Sequence, residues 1–156
     1  MYKNVLILPV SDLVETVSAE LLKKQVCTLR VRGNSMFPFL RDGRDLVTLR
    51  AFDPDDLKPG VIVLFKYRTK YLLHRIIKQK GANYYLRGDN NWSFRLETCT
   101  FDDVIGVVVA VERNGRSMIS CTSRKWCFCS FLWMKSHCLR VALFMMYRFV
   151  KKQIIK

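Results

Sequence analysis

Residues 61–87 read VIVLFKYRTKYLLHRIIKQKGANYYLR. Three runs rich in Val, Ile, Leu, Tyr and Phe, at 61–67, 71–78 and 83–87, follow one another closely, and such side chains suit the pleated surface of a strand. Lys80-Gly81-Ala82-Asn83 separates the last two with turn chemistry, so these are expected to form a hairpin closed near Gly81. Within Tyr71-Leu72-Leu73-His74-Arg75-Ile76-Ile77, strand alternation puts His74 on the side of Leu72 and Ile76, pointing inward.

The same reading extends outward from this stretch. Further strands are expected at 27–32, 45–50 and 104–112. Turn chemistry separates the runs at Arg41-Asp42-Gly43, at Asp53-Pro54-Asp55-Asp56 with Lys58-Pro59-Gly60, and at Gly88-Asp89-Asn90-Asn91. Ahead of them, Ser11 can cap a helix over about 11–24, since Leu13, Val17 and Leu21 recur every fourth residue and Asp12 and Glu15 occupy its first turn. With 156 residues, half of them hydrophobic, the chain suits one core domain and a short appendage. The expected fold is mainly β: a domain over 1–120, with its β-rich core at 27–120, a linker near Cys121–Lys125 and a basic, aromatic helical tail over 126–156.

Charge sets the tail apart. Lys and Arg outnumber Asp and Glu by 27 to 13, a formal net charge of +14, which implies an anionic partner. No acidic residue follows Glu112, whereas Arg113, Arg116, Arg124, Lys125, Lys135, Arg140, Arg148, Lys151, Lys152 and Lys156 do. The tail has two apolar blocks, Trp126–Met134 and Val141–Val150, separated by Lys135, Ser136, His137 and Arg140. On a helical wheel His137, Arg140, Arg148 and Lys151 share one side, interrupted by Phe144. A central cation costs ~2.5 kcal/mol or more inside a bilayer, so lying in the interface is easier than crossing it. The competing placement is a helix packed on the domain or on a partner.

No uncharged apolar run reaches the ~18 residues of a membrane span, and Met1–Val10 lacks the basic region and cleavage site of a secretory signal. Cysteines at 27, 99, 121, 127, 129 and 138 form no regular framework and are expected as free thiols in a reducing compartment. Cys127-x-Cys129, near His137 and Cys138, has the wrong spacing for a structural zinc pair, so neither metal nor cofactor is expected. These readings place the protein peripherally on the cytoplasmic face of a membrane, held there by the tail or by a membrane-bound partner, with no specific nucleic acid. Removing the tail is expected to leave hydrolysis of a short soluble peptide nearly intact.

Two residues stand out for chemistry. Ser35, in Gly33-Asn34-Ser35-Met36-Phe37-Pro38, follows a predicted strand, and Pro38 steers its neighbour away from helical geometry, so Ser35 is expected on an exposed bend. A serine there is ordinarily a turn residue. An inward histidine such as His74 is ordinarily a satisfied core group. Together they supply the hydroxyl and the base that nucleophilic catalysis requires. His137, in the basic tail, is the weaker candidate.

The ordered set Ser35-Met36-x-Pro38, Gly43 with Asp45-Leu46-Val47, Pro59-Gly60-Val61-Ile62-Val63-Leu64-Phe65, His74-Arg75-Ile76, Gly88-Asp89-Asn90-Asn91 and Val104-Ile105-Gly106 resembles the motifs of signal peptidases over about residues 27–112. A histidine at the base position resembles the endoplasmic-reticulum and archaeal branch, whereas bacterial signal peptidases and LexA-type repressors carry lysine there. The resemblance implies a coiled β-sheet domain in which Ser35 attacks the scissile carbonyl, His74 shuttles its proton, and backbone N–H groups near Ser35 stabilise the oxyanion. The chain departs from these relatives in having Gly33 two residues before the serine, where many have a hydroxyl. It also has no membrane span ahead of Ser35, Gly60-Val61 in place of Gly-Asp, and Trp92-Ser93-Phe94-Arg95 where a second acid is usual.

For the third catalytic member Asp89 is chosen over Glu97, Asp102 and Asp103. The hairpin closed near Gly81 would bring an acid after Tyr84-Tyr85-Leu86 beside the strand of His74, where it could accept the imidazole N–H. Asp89 could instead tie down its own turn, and Glu97 could replace it if the loop over Trp92–Leu96 folds back. The expected function is an endopeptidase cutting a precursor, signal or leader peptide bound in extended form. The alternatives are a LexA-type self-cleaving regulator and a non-enzymatic module that binds a membrane or a partner.

Overall fold

A computed structural model describes residues 17–23 and 26–154, with side chains to Tyr147. Eight strands form one antiparallel sheet: β1 (Cys27–Arg30), β2 (Asp45–Arg50), β3 (Ile62–Tyr67), β4 (Lys70–Lys80), β5 (Asn83–Arg87), β6 (Glu97–Cys99), β7 (Val104–Arg113) and β8 (Ser117–Ser120). Their spatial order is β1-β2-β7-β3-β4-β5-β6, with β8 added to β7. Helix α1 covers residues 17–22. Helices α2 (Arg124–Lys135) and α3 (His137–Ile154) follow the sheet.

The unbroken apolar run of β3 has a physical cause: both faces of that strand are buried. Ile62 and Leu64 enter one apolar cluster, with Val47, Leu49, Val108 and Val111 of the neighbouring strands and Val17 and Leu21 of α1. Val63 and Phe65 enter another, with Ile76, Tyr84, Leu86 and Val107. Register shifts at Thr48/Leu49, Leu64/Phe65 and Ile76/Lys78 are irregularities of the kind that add twist and let a sheet coil around its own core. α1 rests where β7 carries Gly106, since a β-carbon there would stand 2.8 Å from Leu21 Cδ1 and 3.1 Å from the Arg50 carbonyl oxygen.

The mainly antiparallel β fold agrees with the sequence reading, with specific differences. Strand β1 stops at Arg30, and β4 runs on to Lys80. The reading missed β6 and β8, whose sequences ETC and SMIS are too short and polar to show a pattern. Each exists because a neighbour pairs with it, as in Leu86↔Glu97 and Val111↔Ile119. Of the predicted N-terminal helix, Ser11, Asp12, Leu13 and Glu15 lie outside the described residues.

The C-terminal segment is also more integrated than its composition suggests. α2 starts inside the predicted linker, where the Ser123 hydroxyl accepts the Trp126 N–H. Trp126 is buried in the cluster that contains β2, and its ring meets Phe39 edge-on at 5.2 Å. Cutting the chain at 126 would therefore take a buried ring out of this cluster.

Candidate active site

Ser35 lies on the loop between β1 and β2. That loop is closed by Val31 N–H donating to the Asp45 carbonyl (2.9 Å) and Gly43 N–H donating to the Val31 carbonyl (3.1 Å). Met36, Phe39 and Leu40 are buried beneath it. These apolar anchors draw the loop into the core and leave Ser35 exposed on a turn. His74 lies on β4 opposite Val63, is buried, and its ring lies 6.2 Å from that of Phe65.

Gly88 is where the two come together. A β-carbon built on it would stand 3.2 Å from Ser35 Cβ, 3.1 Å from His74 Nε2 and 2.6 Å from the Ser35 carbonyl oxygen. The last distance is one that real contacts do not reach, so the Gly88 backbone can approach the serine only because it has no side chain. The turn after it is tied to the same loop: Asn90 N–H donates to the Ser35 carbonyl at 2.8 Å, and Asn91 N–H to the Gly88 carbonyl at 3.0 Å.

Asp89 does not face His74. Arg75, the next residue on β4 and fully buried, holds the Asp89 carboxylate at two points, Nε to Oδ1 and Nη2 to Oδ2, both at 2.8 Å. Arg75 Nη1 donates to the Gly60 carbonyl (2.7 Å) and to Ser130 Oγ of α2 (2.9 Å), and the guanidinium sits 4.5 Å over the Phe39 ring. The Asp89 carboxylate is thus directed at the guanidinium, and among the described residues none of its hydrogen bonds reaches the imidazole. The choice of Asp89 as the acceptor of the imidazole N–H is corrected accordingly.

The acid on the imidazole is Glu97, the first residue of β6, with Oε2 3.4 Å from His74 Nδ1. The contact is of ion-pair length and longer than an ordinary hydrogen bond, and among the described residues neither of these buried atoms has a hydrogen-bond partner. Burial pushes the Glu97 carboxyl up, but contact with His74, the charge of that ring, its own backbone and the charge of Arg87 outweigh burial, and the net shift is downward. Asp103 caps its own 3-10 turn through the Thr100 N–H and hydroxyl, both at 2.8 Å, and the neighbouring Asp102 side is exposed.

The C-terminal helices hold the turn that carries Gly88. Trp133 Nε1–H donates to the Asp89 carbonyl at 3.2 Å. His137 Nε2 lies 3.1 Å from the Asn91 carbonyl oxygen, which can only accept, so this nitrogen carries the proton. Sequence reasoning assigned no role to Arg75, Ser130 or Trp133. The available signal was an arginine set among Leu73, Ile76 and Ile77 on a buried strand, where a cation needs a partner.

A cavity of about 230 Å³ between β3, β7 and α2 is lined by the Arg50–Asp56 pair, Ile62, Trp126 and Met134, and its walls include neither Ser35 nor His74. Among the described residues no group of three His, Cys, Asp or Glu side chains is arranged to hold a metal.

The sheet thus brings an exposed serine and a buried histidine, a hydroxyl and an imidazole, up to the bare backbone of one glycine. The chain belongs to the Peptidase S24-like family, whose model matches residues 9–109 and so takes in Ser35, His74, Gly88, Asp89 and Glu97. This places it in the superfamily that joins LexA-type self-cleaving proteins with signal peptidases. Comparison with curated proteins gives no match.

Proposed function

We propose that this protein is a serine endopeptidase of the Ser–His kind, cutting a precursor, signal or leader peptide. Ser35 is the nucleophile, His74 the general base and Glu97 the acid that orients the imidazole. The observation that carries the reading is the space above Gly88, which Ser35 Cβ and His74 Nε2 both border within 3.2 Å. The histidine at the base position, as in the endoplasmic-reticulum and archaeal signal peptidases, supports it.

A peptide laid out as an added strand beside the Ser35 loop presents its carbonyl carbon to Oγ. Oγ attacks, its proton passes to His74 Nε2, and the carbonyl electrons move onto oxygen. Glu97, ionised because its net shift is downward, stabilises the imidazolium formed in this step. Collapse of the alkoxide breaks the C–N bond, and the departing amine takes the proton from Nε2. Water then repeats the sequence on the ester at Ser35, with His74 again the base. Asp89 and Arg75 act through structure, holding the Gly88 turn against the nucleophile loop.

The test is hydrolysis of a panel of peptides varied at the first and third positions before the cut, where signal peptidases prefer small residues. Ser35→Ala and His74→Ala are each expected to abolish cleavage while retaining the fold, because the two act as a unit. A purified Ser35→Ala protein that cleaves at the unsubstituted rate ends this reading.

A further inference from the structure

α3 is amphipathic in the opposite sense from an ordinary surface helix. The polar residues of its first turn, His137 and Arg140, are turned inward. His137 is buried against the Asn91 carbonyl and the Phe94 ring, 5.3 Å away. Arg140 lies 3.5 Å over the Trp133 ring and donates to the Trp133 carbonyl at 2.6 Å. Phe144, one turn on, stacks on Trp92 at 4.6 Å.

Facing outward up to Tyr147 are Cys138, Leu139, Ala142, Leu143, Met145, Met146 and Tyr147, and of these Leu139, Ala142, Leu143 and Met146 are spaced i, i+3, i+4, i+7 along one stripe with no charge in it. Leu139, Leu143 and Met146 are 63%, 50% and 60% exposed. α2 exposes Phe128, Phe131 and Leu132 at the same spacing. Single exposed apolar residues are ordinary on a protein surface, but a contiguous stripe marks a surface that something covers.

Charge selects the cover. From Arg113 to Lys156 the chain has ten Lys and Arg and no acidic residue. Arg124, Lys125 and Lys135 are exposed on α2, with Lys135 Nζ 5.7 Å from the Phe131 ring. Helices that expose an apolar stripe and whose charged residues are all cationic match the boundary between acyl chains and anionic headgroups. Among the described residues no helix is long and apolar enough to cross a membrane, so the matching geometry is a helix lying in the interface. We infer that α3, assisted by α2, docks the protein peripherally on an anionic lipid surface through the Leu139–Leu143–Met146 stripe.

The test is flotation of the full chain with phosphatidylcholine vesicles, with and without phosphatidylglycerol. Binding is expected only with phosphatidylglycerol and is expected to weaken as salt rises. The double substitution Leu139→Ser with Leu143→Ser is expected to weaken it by about tenfold or more, with an unchanged thermal melt because both side chains already face solvent. Ser35→Ala is expected to float like the unsubstituted chain, which separates this inference from the catalytic one. Three results would overturn it: no flotation of the unsubstituted chain at low salt, flotation indifferent to the leucine substitutions, or a dimer that those substitutions dissociate without any vesicle binding. The last would assign the stripe to a second copy.

Discussion

Arg75 and Asp89 meet as a two-point ion pair, both bonds at 2.8 Å, with side chains 0% and 3% exposed. His74 and Arg75 are consecutive on β4 and so point to opposite faces of the sheet. One face carries the base, and the other ties the strand to Asp89 and to Ser130 of α2. Asp89→Asn removes the charge that compensates a buried guanidinium, a change of about 3–5 kcal/mol in other proteins. Chemical denaturation is expected to show a loss of that order, with cleavage by the remaining folded fraction largely retained.

Glu97→Gln is expected to behave in the opposite way. It keeps the volume and removes the charge facing His74 Nδ1, so turnover on a short peptide should fall by about two to four orders of magnitude while the melt changes little. Lost turnover with intact stability for Asp89→Asn, together with a fully active Glu97→Gln, would return the catalytic acid to Asp89.

Gly88→Ala tests the space that the nucleophile and base share. The added methyl would stand 2.6 Å from the Ser35 carbonyl oxygen, so the loop has to move away from His74. A displacement of about 1 Å at a reacting group costs on the order of 100-fold in rate. The expected result is a folded protein whose kcat falls at least that far, and an Ala variant with unchanged kcat would mean the serine works from elsewhere.

Acid should weaken the fold before the carboxylates titrate. Burial lowers the His137 pKa, the hydrogen bond to the Asn91 carbonyl raises it, and the charges of Arg87 and Arg140 lower it, for a net shift below the ordinary value. A folded pKa below the unfolded one means that the unfolded chain binds more protons as pH falls. The contribution is full above the unfolded value of about 6.5 and is lost as pH falls through the folded value. Thermal melts from about pH 7 to about pH 5 should show a falling Tm, and His137→Gln, which can still donate to Asn91, should flatten that dependence. Asp56, held at about 2 chiefly by its hydrogen bonds with Arg50, adds a separate loss at much lower pH.

Trp126→Ala tests whether α2 belongs to the core. Removing a buried aromatic side chain costs about 3–5 kcal/mol, whereas Ser130→Ala deprives Arg75 of one acceptor among several and should cost about 1–3 kcal/mol. A Trp126→Ala protein as stable as the original would show that α2 is a detachable appendage after all.

The sequence by itself determined what depends on near neighbours. Alternating and continuous apolar runs delimit the long strands, Gly81 closes the β4–β5 hairpin, Met36 and Pro38 set Ser35 on its bend, and strand parity turns His74 inward. The order of the motifs was enough to recognise the superfamily that joins LexA-type proteins with signal peptidases. Which acid meets the imidazole was decided elsewhere: β6 is three residues long, and only its pairing with β5 carries Glu97 to His74. Asp89 is diverted by an arginine fourteen positions earlier, whose burial is completed by a serine fifty-five positions later. The inward turn of His137 likewise follows from contacts with Asn91 and Phe94. Such partners are chosen by sheet register and helix packing, which lower the free energy through contacts distant in the chain, and local spacing carries no record of them.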